Sequence, residues 1–264
     1  MTKLNKGIIL SIIMIFTISL FTGCTGKDIN GVKVNTAEEA LKQFNQYNVD
    51  GNIEEMVKLY SDVYVDSVGY NRKQISRILK KNSGDVKVIK AETTKIEDVN
   101  DNVKKAIVSI TSKQDDKEQI TNDYIYAIVK EEGGWAVSPD GVYKCQNFNI
   151  PAPNQKELNL NLAKEIFVFD GIILRINLLN DSKKQMVFGK EGNYSKVVVD
   201  TKEGKYETTI EQIVPVDSTT QTYFLTRING LKGDIQKVTI TSIYEGDGKG
   251  NPIDGTEKDF VAYE

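Results

Sequence analysis

The 264-residue chain has no histidine, two cysteines (Cys24 and Cys145), one tryptophan and five prolines. Each scarcity removes a class of chemistry. Without histidine there is no Ser-His-Asp nucleophile activation, no histidine-ligated zinc and no proximal-histidine haem. Two cysteines cannot build an internal disulfide framework for a chain of this length. No Gly-Lys pair is followed by Ser or Thr, so the phosphate-binding loop is missing, and no serine has lysine three residues on, which removes the Ser-x-x-Lys signature of penicillin-recognising enzymes. The segment Glu245-Gly246-Asp247-Gly248-Lys249-Gly250-Asn251 has the glycine content of a calcium loop, but Lys249 and Lys258 stand where that loop needs oxygen ligands. No catalytic residue, metal ligand or cofactor is therefore assigned. Past the N-terminus no apolar run is long enough to span a bilayer.

What is present begins with Met1-Thr2-Lys3-Leu4-Asn5-Lys6, two positive charges without an acid, followed by an apolar run from Gly7 to Leu20. These are the charged and hydrophobic regions of a secretory signal, predicted over 1–23. Phe21-Thr22-Gly23-Cys24 then resembles the lipobox of bacterial lipoproteins, with Phe21 in place of the commoner leucine. The resemblance implies thioether lipidation of Cys24, cleavage before it and acylation of its new amine. The alternatives are an ordinary cleaved signal or an uncleaved anchor. Several acyl chains hold a protein stably, since each buried CH₂ contributes about 0.8 kcal/mol. Removing Lys3 and Lys6 leaves 32 basic residues against 37 acidic ones, a formal charge of −5. Nucleic acid and anionic headgroups, which ask for a concentrated basic surface, are poor partners for such a chain. Lysine outnumbers arginine 30 to 4, a bias of AT-rich genomes that fits a Gram-positive source.

The remaining 241 residues exceed one small core, and at roughly 100–150 residues per domain they predict two. Residues 24–35 read as a tether. The first domain is placed at 36–147. Thr36-Ala37-Glu38-Glu39 has the pattern of a capping box, and Ala37, Ala40, Leu41, Phe44 and Tyr47 follow at helical spacing. Asn52 with Glu55 repeats the capping pattern, and Ile75, Ile78 and Leu79 mark a third helix. Alternating residues over 86–97, 103–113 and 119–131, then Trp135-Ala136-Val137, predict an antiparallel sheet, so the first domain is α+β, three helices packed on a curved sheet. The element order, the Asp50-Gly51-Asn52 turn and the ending Lys130-Glu131-Glu132-Gly133-Gly134-Trp135-Ala136-Val137 resemble the nuclear transport factor 2-like superfamily. That resemblance implies a cone with an interior cavity, which enzymatic members of the isomerase and cyclase types equip with a carboxylate or histidine and tyrosine donors.

Residues 148–155, with Pro151 and Pro153, read as a linker. Over 156–264 seven short strands and no convincing helix predict an all-β sandwich. Gly171 to Asn180, with alternating Ile172, Leu174, Ile176 and Leu178, and the Val199-Asp200 to Gly204-Lys205-Tyr206 hairpin resemble the immunoglobulin-like domains that end many Gram-positive lipoproteins.

The candidate pocket is drawn from Tyr60, Tyr64, Tyr124, Tyr126 and Trp135, whose rings either line a cavity or fill the cone. Glu92 and Asp123 are the carboxylates that an enzyme reading needs facing inward. Cys145 is either a buried small hydrophobe or a free thiol. The expectation is a lipid-anchored protein on the extracytoplasmic face of the cell membrane, with a non-enzymatic binding or scaffolding role. Its partners are the membrane through Cys24 and an envelope protein, a cell-wall component or a small apolar ligand. The alternatives are a small-molecule binding or isomerase-type enzyme and an adhesin-like display module.

Overall fold

The computed structural model describes residues 29–84, 86–114, 117–148 and 157–264. The signal, Cys24 and most of the 148–155 linker lie outside them. The first helix, α1 (Ala37–Val49), starts where the Thr36 hydroxyl accepts the Glu39 N–H at 3.2 Å. The Glu39 carboxylate does not complete the box; it accepts from Gln43 instead. Asn52 caps α2 (Ile53–Lys58), and Ser61 caps α3 (Asp62–Val68), which ends on left-handed Gly69. The reciprocal capping box belongs to α4 (Arg72–Ser83), between Asn71 and Gln74.

Four strands follow as an antiparallel meander: β1 (Lys87–Asn100), β2 (Val103–Gln114), β3 (Lys117–Glu131) and β4 (Gly134–Ser138). The helices cover the face that carries Ala106, Val108, Tyr126, Ile128 and Val137, and this packing makes one core with Leu41, Phe44, Val57 and Tyr60. Val34 exchanges two backbone hydrogen bonds with Trp135, covering the outer edge of β4. Gly134 is needed there, because a Cβ would lie 2.5 Å from the Val34 carbonyl oxygen.

After β4 a 3₁₀ turn at Pro139–Gly141 holds Asp140 and Gly141 both at positive φ, and the chain leaves the first sheet. β5 (Val142–Asn147) pairs with β6 (Asn159–Val168), giving a second four-stranded sheet in the order β12-β7-β6-β5, with β7 at Gly171–Leu179 and β12 at Gln221–Asn229. A third sheet of six strands comprises β8 (Met186–Phe188), β9 (Lys196–Thr201), β10 (Lys205–Thr209), β11 (Val214–Val216), β13 (Ile235–Glu245) and β14 (Lys258–Tyr263). These two sheets close face to face over Leu160, Leu162, Leu174, Ile176, Val199 and Ile240, among others. Asn180, fully buried, donates to the carbonyls of Lys184, Val216 and Asp217 and accepts from Ser182, tying the β7 end to the β11 end.

The expected fold class is corrected by this structure. The described residues are sheet-rich, 53% strand and 18% helix, the latter in four short α-helices and one 3₁₀ turn, and do not form three helices on a sheet followed by an immunoglobulin-like domain. The added helix is α3, whose seven residues are too few to show a period. β5, which lies inside the 36–147 span but was not among the expected strands, follows the Asp140-Gly141 turn and takes its ladder from β6. On β6 a register shift between Leu162 and Lys164 sends Ile166 and Val168 to the opposite face, where they pack with Val63 and Tyr64 of α3.

Candidate functional site

Tyr60, Tyr64, Tyr124 and Tyr126 come together. Tyr60 lies edge-on to Tyr64 at 5.1 Å, Tyr124 is 4.9 Å from Tyr126, and Phe44 of α1 joins the pairs at 5.8 Å from Tyr60 and 5.2 Å from Tyr126. Tyr60 and Tyr126 are each 4% exposed, so the rings occupy the space between helices and sheet with one another. The Tyr124 hydroxyl donates to the Asp140 carboxylate at 2.7 Å, at the turn where the chain leaves the first sheet. Burial first, and then the Asp140 charge, hold all four phenols above the ordinary tyrosine value, with neighbouring phenols adding at Tyr60, Tyr64 and Tyr124. They are neutral donors at physiological pH.

Trp135 stands apart from the four tyrosines, on β4, with the Lys104 and Lys130 ammonium groups each 5.9 Å from its ring. Glu92 is exposed and paired with Lys90 at 2.9 Å. Asp123 is exposed too, at φ 58° beside the register shift between Val108 and Ile110. Neither carboxylate faces the tyrosines.

Cys145 is half-buried and bonded to Asp66. Burial, reinforced by the Asp66 charge, pushes its thiol up to about 11, the opposite of what a nucleophile needs. Asp66 also accepts from Lys164 at 2.8 Å and Asn147 at 3.3 Å. One turn on, the Arg175 guanidinium stacks 4.0 Å over the Tyr223 ring and closes against Gly69, where a Cβ would lie 2.5 Å from its Nη1. These groups form a polar seam between α3 and the β5-β6-β7-β12 sheet.

A groove of about 400 Å³ lies between α1 and β1. Leu41, Asn45 and Val49 form one stripe of the helix at i, i+4 and i+8, and Ala91, Thr93 and Ile96 face them from the strand. Asn45 Nδ2 donates to Thr93 Oγ1 at 3.3 Å. Asn45 is 7% exposed, yet its Oδ1 has no hydrogen-bond partner among the described residues. A buried amide atom without a partner costs about 1–3 kcal/mol. Sequence reasoning passed over this groove, although one signal was readable: Asn45 is an uncharged polar residue inside the apolar stripe of α1, next to Phe44. Thr93 gave no signal, because β1 alternates poorly and its bulges are invisible without a partner strand.

Among the described residues no group of three or more Cys, Asp or Glu side chains is placed to hold a metal ion, and no helix is long and apolar enough to cross a membrane. Comparison of the chain with protein-family models and with curated proteins finds no match.

Proposed function

We propose that this chain is a lipid-anchored protein of the extracytoplasmic membrane face that binds or scaffolds other components of a bacterial cell envelope without catalysing a reaction. The observation that carries the non-enzymatic part is the filling of the first core by its own tyrosines. Phe44, Tyr60, Tyr64, Tyr124 and Tyr126 contact one another, while Glu92 and Asp123 sit on the outside. Proton abstraction from an apolar substrate asks for a carboxylate desolvated inside a pocket. Among the described residues the carboxylate that reaches these phenols is Asp140, which is exposed and already accepts from Tyr124.

The anchor rests on the sequence alone, on Phe21-Thr22-Gly23-Cys24 behind a charged and then apolar start. Two measurements test the reading. Mass spectrometry of the mature N-terminus is expected to find a diacylglyceryl Cys24, and an unmodified terminus elsewhere overturns the anchor. Crosslinking in intact cells is expected to trap envelope components, whereas turnover of a small-molecule substrate by the purified chain overturns the non-enzymatic assignment.

A further inference from the structure

We infer that the basic face of α4 lies on the anionic lipid headgroups of the membrane to which Cys24 tethers the chain, so that anchor and helix together set how the first core is held at the surface. The inference rests on the lipid anchor proposed above and adds a contact surface to it.

The charge is concentrated where the whole chain is not. From Arg72 to Lys90 there are seven basic residues and one acid, Asp85, in a sequence whose formal net charge is −3. α4 itself contains no acid. Lys73, Arg77, Lys80 and Lys81 recur along it at i, i+4, i+7 and i+8, a single stripe on the side away from the buried Arg72, Ile75 and Ser76. Arg77, Lys80 and Lys81 are exposed. Lys80 pairs with Glu54 at the start of α2, whereas Arg77 and Lys81 have no ion pair among the described residues. Net charge disfavours anionic headgroups as partners, but the fold gathers on one helix the basic surface that they require.

The tether then brings that surface to the membrane. The chain enters the fold beside the first turn of α4: the Val32 N–H donates to the Lys58 carbonyl at 2.7 Å, and Gly31 lies against the Arg72 guanidinium, where a Cβ would be 2.7 Å from Nη2. Seven links separate Cys24 from Gly31, at most ~25 Å when fully extended. The twelve residues of α4 make a helix about 18 Å long, so all of it stays within reach of the headgroups. Val32 precedes α4 and Val86 follows it, both exposed, and the headgroup boundary accommodates apolar side chains of this size. Tethering already supplies a high effective concentration, so the stripe has only to select an orientation. Each basic side chain at an anionic surface strengthens the contact by roughly fivefold.

The test uses the full lipidated chain reconstituted into phosphatidylcholine vesicles with and without phosphatidylglycerol. A fluorophore on Asn82→Cys, exposed in the last turn of α4, in a Cys145→Ser chain, is quenched by a nitroxide carried on the lipid headgroups. Quenching is expected to be at least threefold greater with phosphatidylglycerol, and to fall to the phosphatidylcholine level in about 0.5 M salt, where screening acts within a few ångströms. The combined variant Arg77→Gln, Lys80→Gln and Lys81→Gln is expected to lose the excess quenching with its circular dichroism unchanged, and Lys80→Arg with Lys81→Arg, which keeps the charge, to retain it. Equal quenching in the two vesicles, or excess quenching that survives the glutamine variant, overturns the inference. Flotation of the same vesicles reports the anchor separately. A chain that floats with both compositions and is quenched equally in both loses the helix contact and keeps the anchor. One that floats only with phosphatidylglycerol keeps the contact and loses the anchor, and one that floats with neither overturns both.

Discussion

Asp66, on α3, accepts a hydrogen bond from Lys164 of β6 at 2.8 Å across the boundary between the helical layer and the second sheet. Burial alone would raise this carboxyl. The hydrogen bond and charge of Lys164, with Cys145 and Asn147, outweigh burial and hold it below the usual carboxylate value. Its contribution is therefore complete above the unfolded value of about 3.9 and disappears as pH falls through the folded one. Because Asp66 is half exposed and screened by water, Asp66→Asn is expected to cost only ~0.2–1 kcal/mol at neutral pH. Urea unfolding at neutral pH and below pH ~3 checks this: the gap between wild type and variant should close in acid. A gap that persists there would mean the bond acts through packing rather than charge.

The same carboxylate reinforces the effect of burial on Cys145. A thiol pushed up to about 11 leaves a thiolate fraction at neutral pH about a hundredfold below that of a free cysteine. Cys145 should react with a maleimide or a disulfide reagent at a correspondingly depressed rate in the folded chain. Removing the neighbouring charge with Asp66→Asn lowers the thiol value and is expected to speed that reaction, measured by the rate of thiol loss with the fold intact. A variant that reacts no faster would show that access, not charge, limits Cys145.

How far the sequence could be read follows from where each element takes its bonds. The helix α1 was legible because its apolar stripe and its Thr36 cap are local. The strand β7 was legible because alternation ran through its nine residues, and β13 because β-branched residues crowd it. β14 escaped notice, since Phe260 and Ala262 alone carry its buried face. β5 was not expected at all: Val142 to Asn147 follows the turn at Asp140 and Gly141 and pairs with β6, a partner that no local pattern reports. The four tyrosines were nominated together and do meet, whereas Trp135 sits with Lys104 and Lys130. A face is set by register, and register is a property of two strands.

Asn180 carries a stability prediction of its own. Its amide serves three backbone carbonyls and accepts from Ser182 while being fully buried. Asn180→Ala removes the side-chain donor that these carbonyls share and opens a gap among them, and a loss of about 1–3 kcal/mol is expected. Asn180→Asp should be no better, because an ionised carboxylate donates nothing to a carbonyl. The shift in urea midpoint for both variants checks this, and the β7 and β11 ends should lose amide protection first.

The buried phenols predict the response to alkali. Tyr60 and Tyr126 are almost wholly enclosed, and burial raises both above their unfolded value of about 10, aided by the neighbouring phenols at Tyr60 and by Asp140 at both. The folded chain thus retains protons that the unfolded chain releases, so their stabilising contribution is full below that value and falls as pH rises beyond it, by up to about 1.4 kcal/mol per pH unit for each group. The clustered tyrosines should stay silent until the fold gives way and then ionise together, coincident with the loss of ordered near-ultraviolet signal. Tyr126→Ala, which removes a ring touching both Phe44 and Tyr124, is expected to cost about 3–5 kcal/mol and to bring that alkaline transition to lower pH. Smooth ionisation of the clustered tyrosines with the fold intact would show that water reaches the space between the helices and the first sheet, and would restore the case for an open cavity there.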